Sequence, residues 1–267
     1  MDINNNSSDN QVLGSPIVVV TGVGGVVGRN LLDHLINRGY QVRVLSRDAG
    51  AAADWLPVSV EVQSYKQAEI ALQGATAVVH LAARNNDQGG GFEDFQRDNV
   101  GLTTELANKA RAHGVERFIF ATTTKALSGN AEHYGRSKAL AERSLTQLNS
   151  SDFRVSFARL CPVYGKHSRG KVALFQRLPL GLGKLALLLL RSLVAIVSAD
   201  RVSEGIVELL ESPDPLEESC LADPISKWSV HGLFTGIMNL IFVLVVPTIL
   251  AIPCLISAIA ILSLIHI

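Results

Sequence analysis

The hydrophobic positions follow two kinds of pattern, one typical of strands and one typical of helices, and the two alternate along the chain. An apolar, β-branched run at residues 17–20 predicts a strand, and apolar residues three and four apart at residues 27–36 predict a helix directly after it. Further strands are expected at 41–45, 58–62, 77–83, 117–121 and 220–223, and further helices at 66–72, 92–113, 202–210 and from residue 134 onwards. Strands that alternate with helices predict an α/β fold with a doubly wound parallel sheet.

The turn between the first strand and the first helix has the sequence T-G-x-x-G-x-x-G. In this position the pattern is typical of a Rossmann-type dinucleotide-binding unit, although glycine also marks ordinary turns. Gly22 is expected to permit the tight turn, Gly25 to let the backbone approach a pyrophosphate, and Gly28 to let the helix pack close to the sheet. The N–H groups of the helix N-terminus would point at the phosphates. The predicted cofactor contacts here are Gly22, Gly25, Val26, Val27 and Gly28.

Residues at the end of the second strand bear on the choice of cofactor. An acidic residue there would bond the ribose 2′-hydroxyl and select NAD, but Ser46 and Arg47 stand at this position. Because a guanidinium can hold a 2′-phosphate with two hydrogen bonds, the sequence slightly favours NADP over NAD. Asp48 keeps NAD open, and an ordinary solvated arginine is the alternative interpretation of Arg47.

A tyrosine and a lysine four residues apart open a later helix. Tyr134 and Lys138 share one face of it, and the preceding strand ends in T-T-T-K at 122–125. A tyrosine with a pKa of about 10 is a poor base at neutral pH, but an adjacent ammonium and an oxidised nicotinamide favour the phenolate. A threonine hydroxyl at the sheet edge would bond the reacting oxygen. The alternative is an amphipathic surface pair, against which the order of the motifs argues.

Several motifs in chain order resemble those of the extended short-chain dehydrogenase/reductase family, the NAD-dependent epimerases and dehydratases. Besides the glycine turn they are H-L-A-A at 80–83, N-V at 99–100, R-F-I-F at 117–120, Y-G-x-S-K at 134–138 and R-x-x-P-V-Y-G at 159–165. Within the family the chain looks similar to bacterial reductases of UDP-4-keto-6-deoxy-N-acetylhexosamines and to UDP-glucose 4-epimerase-like proteins. The resemblance implies a Rossmann-type sheet with a small C-terminal substrate-binding lobe.

The resemblance also implies roles for individual residues. Tyr134 would be the general acid/base, Lys138 its partner, and Thr123 would take the place of the usual catalytic serine. The implied cofactor contacts are Leu81, Ala82, Ala83 and Asn99, together with Tyr134 and Lys138, and the implied substrate contacts are Lys125 and Arg191. The expected reaction is 4-keto reduction of a UDP-sugar, with UDP-sugar 4-epimerisation and a non-catalytic NAD(P)-binding regulator as alternatives.

The chain departs from the family pattern in three places within the expected cofactor domain. The segment between Thr123 and Tyr134 is short, threonine replaces serine, and residues 62–63 are V-Q where the family has Gly-Asp to hold the adenine. His80 invites a catalytic interpretation, but a packed core histidine is favoured.

Composition limits the partners and the compartment. Acidic and basic residues number 24 each, which gives no basic surplus for nucleic acid. Cys161, Cys220 and Cys254 lack metal-type spacing, so we expect reduced thiols, no metal site and a cytoplasmic protein. A homodimer is left open.

The expected regions are a disordered tail (1–15), an NAD(P)-binding Rossmann domain (16–165), a substrate-side lobe interleaved with it (166–238) and an apolar tail (239–267). The apolar tail is long enough to cross a bilayer, but prolines at 247 and 253 interrupt it. Two alternatives remain for this tail: it contacts a membrane, or it packs on the substrate lobe. Residues 262–267 match the translation of a transposon-derived sequencing adapter, so we expect the native reading frame to be cut off there, which the coding DNA would show.

Overall fold

The structure is a computed structural model that describes residues 15–127, 132–166, 196–212 and 218–221. Its strands are β1 (Ile17–Thr21), β2 (Gln41–Ser46), β3 (Glu61–Ser64), β4 (Ala77–His80), β5 (Arg117–Thr123), β6 (Arg154–Leu160), β7 (Val163–Tyr164), β8 (Val197–Ser198) and β9 (Glu218–Leu221). Its α-helices are α1 (Val26–Asn37), α2 (Ala49–Ala53), α3 (Ala68–Leu72), α4 (Phe92–Phe95), α5 (Leu102–Ala112), α6 (His133–Thr146) and α7 (Ala199–Glu211).

Seven of these strands form one parallel sheet in the order β3-β2-β1-β4-β5-β6-β9. The direction of winding reverses between β1 and β4, because β2 and β3 lie on one side of β1 and the later strands lie on the other. Ligands of open α/β sheets bind outside the carboxyl ends of the strands at such a reversal. The expected doubly wound Rossmann-type fold is therefore confirmed, and the glycine turn lies at the reversal.

Both faces of the sheet are covered by helices. On β1, Val18 and Val20 pack into one core cluster together with Leu31 of α1. Val19 points to the opposite face and packs into a second cluster that includes Leu106 of α5. Because successive strand residues point to opposite faces, a strand buried on both sides needs an unbroken apolar run, which β1 has.

Several predicted elements differ from those observed, among them the strand expected at 77–83, which ends at His80. A strand was expected at 58–62, but β3 begins at Glu61 because residues 57–60 form a turn in which Val60 N–H donates to Pro57 O at 2.9 Å. Val58, an expected strand residue, is fully exposed. The helix expected at 92–113 is interrupted by a π-helical turn, Gln96–Gly101, and the last strand begins two residues earlier than expected.

Part of the expected substrate lobe belongs to the sheet domain. Helix α7 packs in the same core cluster as α1, and β9 extends the sheet beside β6. Arg191 and the apolar tail at 239–267 lie outside the described residues. None of the helices in the described ranges combines the length and apolarity needed to cross a membrane.

Candidate functional site

The glycine turn is packed tightly against the end of β4. Gly22 has φ +74°, and a Cβ placed on it would lie 2.6 Å from the backbone nitrogen of Ala82. A Cβ on Gly28 would lie 2.5 Å from the carbonyl oxygen of Gly22. Gly28 therefore lets α1 pack against the turn itself, whereas the sequence predicted a contact with the sheet. Gly25 N–H donates to Gly22 O at 3.1 Å and closes the turn.

A chain of buried hydrogen bonds runs beneath this turn. Ala82 N–H donates to Thr21 Oγ1 at 3.1 Å, and Thr21 Oγ1 lies 2.8 Å from His80 Nδ1. On the other side of the ring, His80 Nε2 lies 2.9 Å from Thr103 Oγ1, which donates to Asn99 O at 2.6 Å. Since the single hydroxyl proton of Thr103 goes to the carbonyl, Nε2 must carry the ring proton and Nδ1 must accept from Thr21.

His80 is a core residue. Its side chain is fully buried, and burial lowers its pKa to about 3, with the positive charge of Lys138 acting in the same direction. The ring is therefore neutral at physiological pH and serves to connect β1, β4 and α5. The expectation of a packed core histidine is confirmed.

Asn99 lies in the π-helical turn and holds two other elements together. Its Oδ1 accepts from Arg84 N–H at 2.6 Å, and its Nδ2 donates to Arg84 O at 3.0 Å and to Ser137 Oγ at 2.9 Å. The side-chain amide thus ties the loop after β4 to α6. A direct contact of Asn99 with a cofactor remains a prediction, and it would require these bonds to rearrange.

Lys138 is buried on the inner face of α6. Its Nζ donates to Ala121 O at 2.7 Å and lies 4.2 Å from the centroid of the Phe120 ring. Burial lowers the pKa of Lys138 to about 7, and the negative charge of Glu142 opposes that shift. The lysine is therefore held against the last residues of β5 and titrates close to neutrality.

Tyr134 lies one helical turn before Lys138 and is partly buried. Burial raises the pKa of its phenol to about 12. The sequence predicts the opposite direction, because a neighbouring ammonium favours the phenolate. In the structure the loss of hydration dominates, so the protein residues alone keep the phenol protonated at neutral pH.

The two threonines that end β5 point to opposite faces, as the alternation of a strand requires. Thr122 Oγ1 donates to Glu142 Oε1, whereas Thr123 Oγ1 accepts from Lys125 N–H at 3.3 Å. Accepting leaves the Thr123 hydroxyl with its own proton to donate. Lys125 Nζ forms an ion pair with Glu132 at 2.8 Å, on the exposed side of this edge.

The end of β2 offers one exposed cation. Ser46 Oγ donates to Asp48 O at 2.9 Å, and Asp48 Oδ1 accepts from Ala51 N–H at 3.0 Å, which caps α2. Arg43 donates to Gln73 O at 2.6 Å and is tied to the end of α3. Arg47 is exposed beside these residues.

Residues 18–188 match the NAD dependent epimerase/dehydratase family. The chain belongs to this family. The resemblance inferred from the motifs is thereby confirmed, including the NAD-binding Rossmann domain.

Curated relatives in the family act on chemically different substrates. The UDP-glucose 4-epimerase of Vibrio cholerae is 28% identical over 224 residues, which cover 73% of this chain and 67% of that enzyme. The sterol-4-alpha-carboxylate 3-dehydrogenase (decarboxylating) of Dictyostelium discoideum is 25% identical over 231 residues, covering 74% and 68%. Among solved structures, the Bordetella bronchiseptica enzyme WbmG in complex with NAD and UDP has a TM-score of 0.61 and 20% identity, covering 77% of this chain and 72% of that one.

At 20% identity, the similarity to WbmG shows a shared fold.

Within the described ranges, no group of three or more His, Cys, Asp or Glu residues is arranged to hold a metal ion.

Three residues of this site were missed by sequence reasoning. Ser137, Glu142 and Arg159 are buried or partly buried polar groups: Ser137 Oγ accepts from Asn99, whereas Glu142 bonds Thr122 and Arg159 beside the end of β5. Glu142 follows Lys138 by four residues and Tyr134 by eight, so extending the i, i+4 spacing by one more turn would have found it. Arg159 opens the R-x-x-P-V-Y-G motif at 159–165, but the motif gave no indication of its partner, because Glu142 is on another element.

Replacing Gly22 by Ala should destabilise the protein strongly. The substitution puts a side chain at φ +74° and 2.6 Å from Ala82 N, so we expect a loss of about 2 kcal/mol or more in unfolding free energy. Urea unfolding measures it. Gly24→Ala is the matched control and should change stability little, because Gly24 is exposed and a Cβ there meets nothing within 4 Å. Equal effects of the two variants would contradict the packing described.

Replacing Lys138 by Met should change how stability depends on pH. Between the folded pKa of about 7 and the ordinary value of 10.5, the unfolded chain binds a proton that the folded chain has released. The unfolding free energy of the unmodified protein therefore rises with pH in this window, by up to about 1.4 kcal/mol per unit.

The Lys138→Met variant lacks that contribution, so its stability relative to the unmodified protein should be highest at pH 7 and should fall towards pH 10. Urea unfolding at several pH values measures both proteins. Lys109→Met, which removes an ion-paired surface lysine, should run parallel to the unmodified protein. A parallel course for Lys138→Met as well would show that the lysine is not desolvated.

Proposed function

We propose that this protein is an NAD(P)-dependent oxidoreductase that reduces the 4-keto group of a UDP-sugar. The observation that carries the proposal is the placement of Tyr134 and the buried Lys138 one turn apart on α6, with the Lys138 amine bonded to the hydroxyl-bearing strand β5. A phenol that stays protonated at neutral pH is suited to donate a proton, which reduction of a carbonyl requires.

The cofactor would be held by the glycine turn and the start of α1. The first N–H groups of α1, at residues 26–28, have no acceptor within the helix and suit a pyrophosphate. Gly25 is exposed, and the nearest atom to a Cβ on it is 3.4 Å away, which leaves the backbone accessible from outside. When bound, the nicotinamide supplies or accepts the hydride.

The chain's own residues then handle the proton and the oxygen. Tyr134 Oη gives its proton to the carbonyl oxygen as the carbon gains the hydride, and the phenolate is re-protonated from solvent. Thr123 donates its hydroxyl proton as a hydrogen bond to the same oxygen. Lys138 would supply a cation and a donor one turn from Tyr134, while Lys125, which is ion-paired with Glu132 at the outer edge, would contact the substrate.

The substrate class rests on relatives. The Vibrio cholerae relative is named as a UDP-glucose 4-epimerase and WbmG is described with UDP, which supports a nucleotide sugar. The sterol dehydrogenase relative makes an apolar ketone the second candidate. Epimerisation uses the same side chains but needs Tyr134 in both protonation states, and it returns the cofactor to its starting form.

The direct test is to incubate the protein with UDP-4-keto-6-deoxy-N-acetylhexosamine and reduced dinucleotide. We expect one reduced dinucleotide to be consumed per sugar reduced, with dinucleotide followed at 340 nm and sugar by mass spectrometry. Tyr134→Phe should lower kcat by about 10²-fold or more, because the proton donor is lost, while dinucleotide affinity is kept. Ser144→Ala, on the same helix, is the control.

Three results would each redirect the proposal. Product without net dinucleotide consumption favours epimerisation. Turnover with a 3-ketosteroid and none with any nucleotide sugar favours the apolar ketone. Dinucleotide binding without turnover of either class favours the non-catalytic regulator, and unchanged turnover in Tyr134→Phe removes the tyrosine from the mechanism.

NADP is the favoured cofactor because Arg47 is exposed at the end of β2 while the Asp48 carboxylate is engaged as a helix cap. Arg47→Ala should weaken NADPH binding about tenfold and leave NADH binding unchanged, since one charge-assisted bond to the 2′-phosphate is removed. Fluorescence titration with both dinucleotides measures this. The exposed Arg111→Ala is the control, and equal losses for both dinucleotides would contradict NADP selectivity.

A further inference from the structure

Glu142 continues the face of α6 that carries Tyr134 and Lys138. The three residues are spaced by four, so they lie one above another along the helix. Glu142 Oε1 accepts a hydrogen bond from Thr122 Oγ1 and lies 2.8 Å from Arg159 Nη1. One carboxylate therefore connects α6 to the carboxyl ends of β5 and β6.

The Glu142–Arg159 ion pair is largely removed from water. Its side chains are 13% and 6% exposed, respectively. Burying two charges costs several kcal/mol each, and apolar residues of similar volume often serve stability as well or better. A gain in folding stability is therefore a weak explanation for burying this ion pair. Glu142 lies one helical turn from Lys138, and its negative charge acts on that lysine.

We propose that Glu142 is a positioning residue that fastens α6 to the ends of β5 and β6 and supplies the negative charge that balances the buried Lys138 ammonium. Arg159 holds the carboxylate in place from β6, and Thr122 holds it from β5. The consequence for turnover rests on the proposed function, whereas the effect on Lys138 itself does not.

The groups that surround Lys138 determine the direction of the effect. Glu142 on α6 is the negative charge that acts on it, and Arg159 on β6 is a cation beyond that carboxylate. His80 on β4 is neutral and Tyr134 on α6 is protonated at neutral pH. Removing the charge of Glu142 therefore removes the negative charge that raises the pKa of Lys138 and leaves the Arg159 cation without its carboxylate, so the pKa of Lys138 should fall further.

The experiment measures the Lys138 pKa directly from its 13Cε NMR shift in the full chain, with the signal assigned by Lys138→Met. Glu142→Gln should lower that pKa by at least one unit, a tenfold change in proton affinity. Thr122→Val removes the hydroxyl but no charge and should leave the pKa nearly unchanged. Glu105→Gln, which makes the same change in an exposed lysine-paired glutamate on α5, is the matched control.

A second variant keeps the proposal testable if Glu142→Gln does not fold. Arg159→Met leaves the carboxylate unopposed, so the Lys138 pKa should rise. An unchanged Lys138 pKa in the folded variants overturns the proposal, whatever the enzyme does. If the pKa moves as expected but no substrate is turned over by the unmodified protein, the proposed function fails and the role of Glu142 stands.

Where turnover is measurable, a structural role and an electrostatic role give different results. The basic limb of the kcat profile should move to lower pH in Glu142→Gln by the same amount as the Lys138 pKa. KM for the substrate should change less than kcat. A uniform loss of activity at every pH, with no shift of the limb, would indicate a packing defect and contradict the electrostatic part.

Discussion

The close approach of the glycine turn to the end of β4 is the constraint on which the site depends. Because the backbone of residues 81–82 lies within 2.7 Å of where a Cβ on Gly22 would stand, the two strand ends meet without any side chain between them. The hydrogen-bonded chain from Thr21 through His80 and Thr103 to Asn99 fixes that contact from below. From Asn99 the bonds continue to Ser137, whose hydroxyl donates to the backbone of the first turn of α6 at 2.8 Å. The glycine turn and α6 are thus one connected unit.

Such a connection is possible because every link of the buried chain has a defined donor and acceptor. A buried polar group without a partner costs about 1–3 kcal/mol, so a single reversed tautomer of His80 would leave two groups unsatisfied. The low pKa of His80 keeps the ring neutral and therefore keeps the direction of the chain fixed. The π-helical turn contributes as well, because the extra residue allows Asn99 to reach both Arg84 and Ser137. Rigid placement of α6 relative to the glycine turn follows from these bonds rather than from apolar packing alone.

The features that the sequence predicted well depend only on the spacing of residues within short segments. The strand–glycine–helix order, the Tyr134–Lys138 spacing and the αL glycines after α1 and α5 are properties of short segments. The sequence could not show which partner a long polar side chain selects. Arg43 lies in β2, near the predicted cofactor contacts Ser46 and Arg47, yet its guanidinium donates to the end of α3. The Glu142 carboxylate accepts from Arg159, which is 17 residues later in the chain. The start of β3 was misplaced for a related reason, since apolar residues such as Val58 can occupy an exposed turn.

Burial shifts the two central groups in opposite directions for a single reason, which is that both charged forms lose hydration. Tyr134 is driven towards the neutral phenol and Lys138 towards the neutral amine. The ionic arrangement of phenolate and ammonium therefore needs added charge on each side. Glu142 provides negative charge for the lysine, whereas burial alone shifts the pKa of the phenol, and no charged group among the described residues offsets that shift. Positive charge brought by an oxidised nicotinamide would favour the phenolate, and a reduced, neutral ring would leave the phenol protonated. In the proposed mechanism the protonation state of Tyr134 would then follow the redox state of the cofactor, and one residue would serve as acid during reduction and as base during oxidation.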